Sequence, residues 1–248
     1  GIHIHIGMPI NLEWLKNAIV VGRNLEHLFF HIAGNGYAFR GYRNDSAYCR
    51  PITRKGPPCV TTGRGLSKCF DIDDLMGASS TREFWYMYGQ TSTESPGRYV
   101  PQRYIWLNFH SLLAHGTMEF RPFNKTLNPN YIAAEIELCQ KFVISVMKGS
   151  YIPTTEHSAF DSFVNGKGLS YQLLRDITIP FGLTPWTVKV LEDIIKSTPL
   201  VPLPEYYSLT HIRHNPLWAD SSYRPLLVDN AKNPPIVTIH TLRGEPNV

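Results

Sequence analysis

The chain opens on strict alternation. In Gly1-Ile2-His3-Ile4-His5-Ile6-Gly7 the isoleucines and histidines take turns. That is the period of a β-strand, with Ile2, Ile4 and Ile6 on one face and both imidazoles on the other. After Pro9-Ile10-Asn11 the period becomes helical, through Leu12, Leu15, Ile19, Leu25, Leu28, Phe29 and Ile32, with Asn11 as N-cap and Gly34 as stop. Residues 34–65 are rich in Gly, Pro, Arg and Tyr and read as a long irregular segment, a kind that more often serves as a lid or binding loop than as a spacer. Residues 71–76 read as a short helix, 84–88 as a strand with aromatic residues on both faces, and 103–110 as a strand or strand-turn. A second alternating strand covers 117–123. Asn128-Pro129 supplies an N-cap and a first-turn proline to a helix whose stripe is Ile132, Ile136, Cys139, Val143 and Val146. Beyond Gly149, residues 150–168 read as loop and 169–179 as a short helix. Thr184-Pro185 then opens a helix through Ile195 with its stripe at Val188, Leu191 and Ile195, and prolines from Pro199 onward read as an extended tail.

Composition narrows the classes. With 248 residues the chain can bury a substantial core, and 43% hydrophobic with 18% charged residues are globular values. The 24 Lys and Arg against 20 Asp and Glu leave a net charge of +4, dispersed and without a basic run, so no nucleic-acid partner is expected and small anionic substrates stay compatible. No stretch approaches the ~18 apolar residues of a membrane span. Cys49, Cys59, Cys69 and Cys139 form no C-x-x-C pair, which reads as reduced thiols in a cytoplasmic compartment. The first residue is a Gly inside a strand, so an upstream segment or a partner chain is expected to complete the domain.

Two strands carry the candidate chemistry. His3 and His5 share a face on the first, and Glu119 and Arg121 share a face in Gly116-Thr117-Met118-Glu119-Phe120-Arg121. Were the strands neighbours, imidazoles, a carboxylate and a guanidinium would make a metal-and-phosphate site, since a guanidinium clamps phosphoryl oxygens in pairs and Mg²⁺ takes only a few protein ligands beside phosphates and water. No G-x-x-x-x-G-K-[ST] or G-x-G-x-x-G is present, so a nucleotide would be held by another architecture. Taken singly, the histidines also read as solvent-facing and Glu119–Arg121 as a surface ion pair. Cys49 reads as a packing residue.

The blocks 1–7, Arg43-Asn44-Asp45-Ser46-Ala47-Tyr48-Cys49-Arg50-Pro51, Arg103-Tyr104-Ile105-Trp106-Leu107-Asn108 and 116–128 (GTMEFRPFNKTLN) occur in this order. They resemble the amidoligase family, a branch of the carboxylate–amine ligases with the glutamine synthetase fold, over about residues 1–148. The resemblance implies an α+β fold, a curved antiparallel sheet with helices packed on one face. Residues 149–248 would then be a helical and proline-rich extension packed on that core. It also implies an ATP-dependent ligase, using Mg²⁺ or Mn²⁺, that phosphorylates a carboxylate and lets an amine (amino acid, peptide or protein) displace the phosphate. Matched by position, His3 and Glu119 correspond to metal ligands and His5 to an ATP-phosphate contact. Arg121 corresponds to the group on the transferring phosphate or substrate carboxylate, so that Glu119 and Arg121 are the catalytic pair. Arg43 and Arg50 correspond to contacts with ATP or substrate, and Arg103 and Asn108 fall in a block of less defined role. The family's remaining metal ligands are mostly carboxylates, including an E-x-E strand, upstream of the H-x-H strand. Two other readings stay open: a metallohydrolase using H-x-H in a β/α barrel, and a non-catalytic structural or binding descendant of the ligase fold.

Overall fold

The computed structural model describes residues 1–34, 52, 61–62, 65–66, 72–88, 105–151, 153 and 161–198. Its centre is a small antiparallel sheet of β1 (Ile4–Gly7), β4 (Leu107–Asn108) and β5 (Thr117–Phe120), with β5 in the middle. A separate two-stranded ribbon pairs β2 (Thr61–Thr62) with β3 (Gly65–Leu66). The helices are α1 (Leu12–Ile32), α2 (Ile72–Gly77), α3 (Thr81–Met87), α4 (His110–His115), α5 (Pro129–Lys148), α6 (Asp161–Phe181) and α7 (Pro185–Ser197). The described molecule is therefore helix-rich around one small sheet. None of its helices is long and apolar enough to cross a membrane.

Register decides which side chains face the core. Ile4 lies opposite Phe120, and Phe120 opposite Leu107, so these three form one apolar row across the sheet. All three are buried. Phe29 of α1 sits against this row, its ring centroid 4.8 Å from Trp106, 5.8 Å from Phe120 and 5.9 Å from Phe142 of α5. At the α1–β4 crossing, Gly22 lets the helix approach: an added Cβ would lie 3.0 Å from a Leu107 methyl. Glu26 ties the same crossing, accepting from Trp106 Nε1 at 2.8 Å and from the Ile52 backbone N–H.

Caps explain the helix boundaries. The Asn11, Asn128 and Thr184 side chains accept from the backbone N–H of Trp14, Asn130 and Thr187, and Pro129 and Pro185 occupy the first turns where no donor is lost. Three expectations are corrected. Residues 84–88 are not a strand: Phe84 to Met87 belong to α3 and Tyr88 is its C-cap. Ser80 accepts from Glu83 N–H at 3.1 Å, and Glu83 reaches back to Ser79 N–H at 2.6 Å, a capping arrangement that outweighs the aromatic residues' strand preference. The 150–168 loop gives way to helix at Asp161, so α6 is twice the expected length. On α5 the expected stripe holds at Cys139, Val143 and Val146, which are buried together with Leu138 and Phe142, but not at Ile136, which is 37% exposed.

Helices α6 and α7 contribute Leu173, Leu174, Ile177, Leu191, Ile194 and Ile195 to the same hydrophobic cluster as the sheet and α1. A buried polar link supports this docking, with Ser170 of α6 hydrogen-bonded to both His27 and His31 of α1. Burial holds His31 down at about 4, so the ring is neutral at ordinary pH. Residues 199–248 and Cys49, Cys59 and Cys69 lie outside the described residues; Cys139 is a free, buried thiol.

Glu135 of α5 is the anomaly in this core. It is fully buried, neither carboxyl oxygen has a hydrogen-bond partner among the described residues, and burial pushes its carboxyl up to about 8. The folded state therefore keeps the proton while the unfolded chain releases it above about pH 4.5. Stability from this group is fully present below that pH and falls as pH rises towards 8. Glu135→Gln should flatten this fall in the urea midpoint, which over the whole window amounts to roughly 3–5 kcal/mol. A wild-type midpoint that does not decline between pH 5 and 8 would contradict it.

Candidate functional site

The opposite face of the sheet carries a polar row in the same register. His5 of β1 faces Glu119 of β5, and Asn108 of β4 faces Glu119 from the other side. Paired positions point the same way, so the carboxylate sits between two polar neighbours. Oε1 of Glu119 lies 2.8 Å from His3 Nδ1, 2.9 Å from Arg121 Nη1 and 3.8 Å from His5 Nε2. Oε2 accepts from Asn108 Nδ2 at 2.6 Å. Asn108 is itself fixed, because its Oδ1 accepts from the His110 N–H at the start of α4. The expected neighbours are thus one site: His3, His5, Glu119 and Arg121 converge on a single carboxylate oxygen.

Depth sorts the four. The His3 and His5 side chains are 39% and 40% exposed, against 8% for Glu119 and 10% for Arg121. The imidazoles line the mouth, and the ion pair forms the floor. Burial alone would raise the Glu119 carboxyl. Hydrogen bonds from His3 and Asn108, with the charges of Arg121 and His3, overcome that and hold it at about 2.

The local fold follows from sequence. Gly116 ends α4 at φ 67°, a left-handed position that disfavours a side chain. Its carbonyl accepts from Met8 N–H at 3.2 Å, which brings β1 beside the start of β5. The Arg121 N–H donates to Trp106 O at 2.8 Å, extending the β4–β5 pairing past the last strand residue. The antiparallel sheet is not the parallel β/α barrel that a metallohydrolase built on H-x-H would require.

A divalent ion was expected on His3 and Glu119. Among the described residues, no three His, Cys, Asp or Glu side chains gather closely enough to hold a metal by themselves. His3 Nδ1 and Glu119 Oε1 are at hydrogen-bond distance, which is also near the ~3 Å edge between adjacent ligands in an octahedron with bonds of about 2.1 Å. The pair therefore fits as one edge of a Mg²⁺ or Mn²⁺ shell, the other positions going to water or phosphate oxygens. Arg43, Arg50 and Arg103 lie outside the described residues. Two members of the site carried no expected role: the hydroxyls of Ser111 and Thr117, both in contact with His5. Thr117 shares the period-two face of Glu119 and was legible to that extent. Ser111 had no sequence signal.

The model of a family described as "Putative amidoligase enzyme" matches residues 1–143. No curated protein and no solved structure matches the chain significantly.

Glu119 gives this site an acid signature. With its carboxyl at about 2 in the fold, below its ordinary value of 4.5, it contributes stability that is fully present above about pH 4.5 and lost as pH falls towards 2. Glu119→Gln should remove that part of the acid limb in a urea-midpoint profile. An unchanged limb in the variant would mean the carboxylate is not held by these donors.

Proposed function

The chain belongs to the amidoligase family, and from that membership and the geometry around Glu119 we propose an ATP-dependent carboxylate–amine ligase with a glutamine-synthetase-like core. The observation that carries this reading is the convergence of a guanidinium, two imidazoles and one fixed carboxylate on one sheet face. The helices and apolar row of the opposite face support the fold assignment.

In this reading MgATP is a substrate. A carboxylate oxygen of the second substrate attacks the γ-phosphorus, the bond to the bridging oxygen breaks, and ADP leaves. The amine then attacks the acyl carbon, inorganic phosphate leaves, and the amine loses a proton to give the amide. Such transfers need positioning and charge neutralisation more than covalent participation by the protein. Arg121 is the group to neutralise charge on the transferring phosphoryl, and its salt bridge to Glu119 holds the guanidinium in place beforehand. His5 at the mouth is placed to donate to a phosphate oxygen, while His3 and Glu119 would face the ion that accompanies ATP. Arg43 and Arg50 complete the proposal as contacts to ATP or to the substrate carboxylate.

The test is ADP release from MgATP by the full-length protein with mixed amino acids and short peptides as carboxylate and amine donors. Arg121→Lys keeps charge but loses the planar fork, so turnover should fall on the order of 10²–10³-fold. Glu119→Gln should chiefly raise the Mg²⁺ concentration needed for half-maximal rate. Wild-type rates in both variants would reduce this strand to scaffold. Amide hydrolysis without ATP would overturn the ligase reading.

A further inference from the structure

His5 is gripped from behind. Its Nδ1 lies 3.0 Å from Thr117 Oγ1 and 3.3 Å from Ser111 Oγ, and the two hydroxyls are 3.1 Å from each other. Thr117 and Glu119 are two apart on β5, and His5 pairs with Glu119. The ring therefore lies along β5, with its Nδ1 edge on the hydroxyls and Nε2 directed to the carboxylate at 3.8 Å. The His115 ring, 6.4 Å away and edge-on, closes one side. Ser111 is buried, so its hydroxyl proton has to find a partner inside the triangle.

Proton counting and the facing carboxylate together favour one tautomer. A neutral imidazole carries one N–H and one lone pair. With the lone pair at Nδ1, one hydroxyl donates to it and the other donates to the first, so both hydroxyl protons are used. With the proton at Nδ1, one hydroxyl must turn out of the triangle, and the Nε2 lone pair then points at an anionic oxygen. Both considerations favour the proton on Nε2. We propose that Ser111 and Thr117 are positioning residues that hold His5 as the Nε2–H tautomer. Its single N–H is thereby presented at the mouth of the site as a neutral donor to a phosphate oxygen.

The tautomer rests on the geometry, and the phosphate role rests on the ligase reading. The assignment separates the two histidines of the H-x-H strand. His3 meets the carboxylate through Nδ1, the nitrogen that would share an ion with Glu119 once its proton is displaced, whereas His5 is committed as a donor. It also gives the threonine after Gly116 a chemical reason to be there, beyond strand preference.

Long-range proton–nitrogen correlation spectra of the ¹⁵N-labelled full chain, at a pH where His5 is neutral, read the tautomer without any substrate. Wild type should show the proton on Nε2. Thr117→Val and Ser111→Ala should each move the ring towards a mixture, and Thr117→Ser should restore the single form. A wild-type ring protonated on Nδ1, or an even mixture, overturns the proposal whether or not a variant folds. Kinetically, Thr117→Val should raise KM for MgATP about tenfold, the worth of one hydrogen bond to a charged group, with kcat within about twofold. A fall in kcat at unchanged KM overturns the phosphate-donor role. Absence of any ATP turnover in wild type overturns the ligase reading alone, because the spectrum still decides the tautomer.

Discussion

A carboxylate near the floor of a β-sheet face has to be surrounded by donors, and Glu119 is. Its two oxygens receive His3, Arg121 and Asn108, contributed by the residue before β1, the residue after β5 and by β4. That requirement fixes the register of all three strands at once. A slip of one residue in β5 would turn Glu119 into the aromatic core and Phe120 out to the imidazoles, because side chains alternate faces. Burying an unpaired carboxylate among Phe29, Trp106 and Phe142 would cost several kcal/mol. Site and core are thus two faces of one strand, and each enforces the other.

The constraint is passed outward through α1. Phe29 packs on the apolar row, Gly22 permits close approach to Leu107, and Glu26 binds the Trp106 indole. Because Trp106 also accepts from the Arg121 backbone N–H, the helix positions the strand that positions Asn108. Removing the Glu26 carboxylate would act on the site at second hand, by loosening β4 rather than by altering the polar row. The expected helix over 12–32 was therefore more than scaffold, although nothing in its periodicity distinguished it from an ordinary amphipathic helix.

How much of this was legible depended on whether local rules or tertiary contacts decided. The two alternating strands and the caps at Asn11, Asn128 and Thr184 follow from short-range pattern, and the structure agrees with them. That His3, His5, Glu119 and Arg121 come together depends on β1 pairing with β5, a long-range contact that alternation alone leaves conditional. Residues 84–88 misled because aromatic residues favour strands only weakly, whereas the Ser80–Glu83 cap upstream was the stronger signal and lay outside the aromatic window. On α5 the stripe reading holds for Cys139, Val143 and Val146 and fails at Ile136, whose apolar side chain sits at the edge of the buried face rather than in it. Ser111 was invisible for a different reason: its relation to His5 exists only once Gly116 has folded α4 back against β1.

The two buried glutamates make the origin of the site's charge plain. Glu119 and Glu135 are both removed from water, and burial pushes both carboxyls upward. Glu135, with no partner for either oxygen among the described residues, ends at about 8 and keeps its proton at neutral pH. Glu119, with His3, Asn108 and Arg121 around it, ends at about 2 and is an anion at neutral pH. Both are buried; the donors around Glu119 separate them. The same donors leave the sheet face with one anion encircled by a guanidinium and two imidazoles, so the positive partners outnumber the charge they stabilise whenever an imidazole is protonated. Even with both rings neutral, the half-exposed His3 and His5 add no negative charge there. A face built this way would repel little from a polyanion and holds Arg121 in place without one, which is the preorganisation that the proposed phosphoryl transfer would call for.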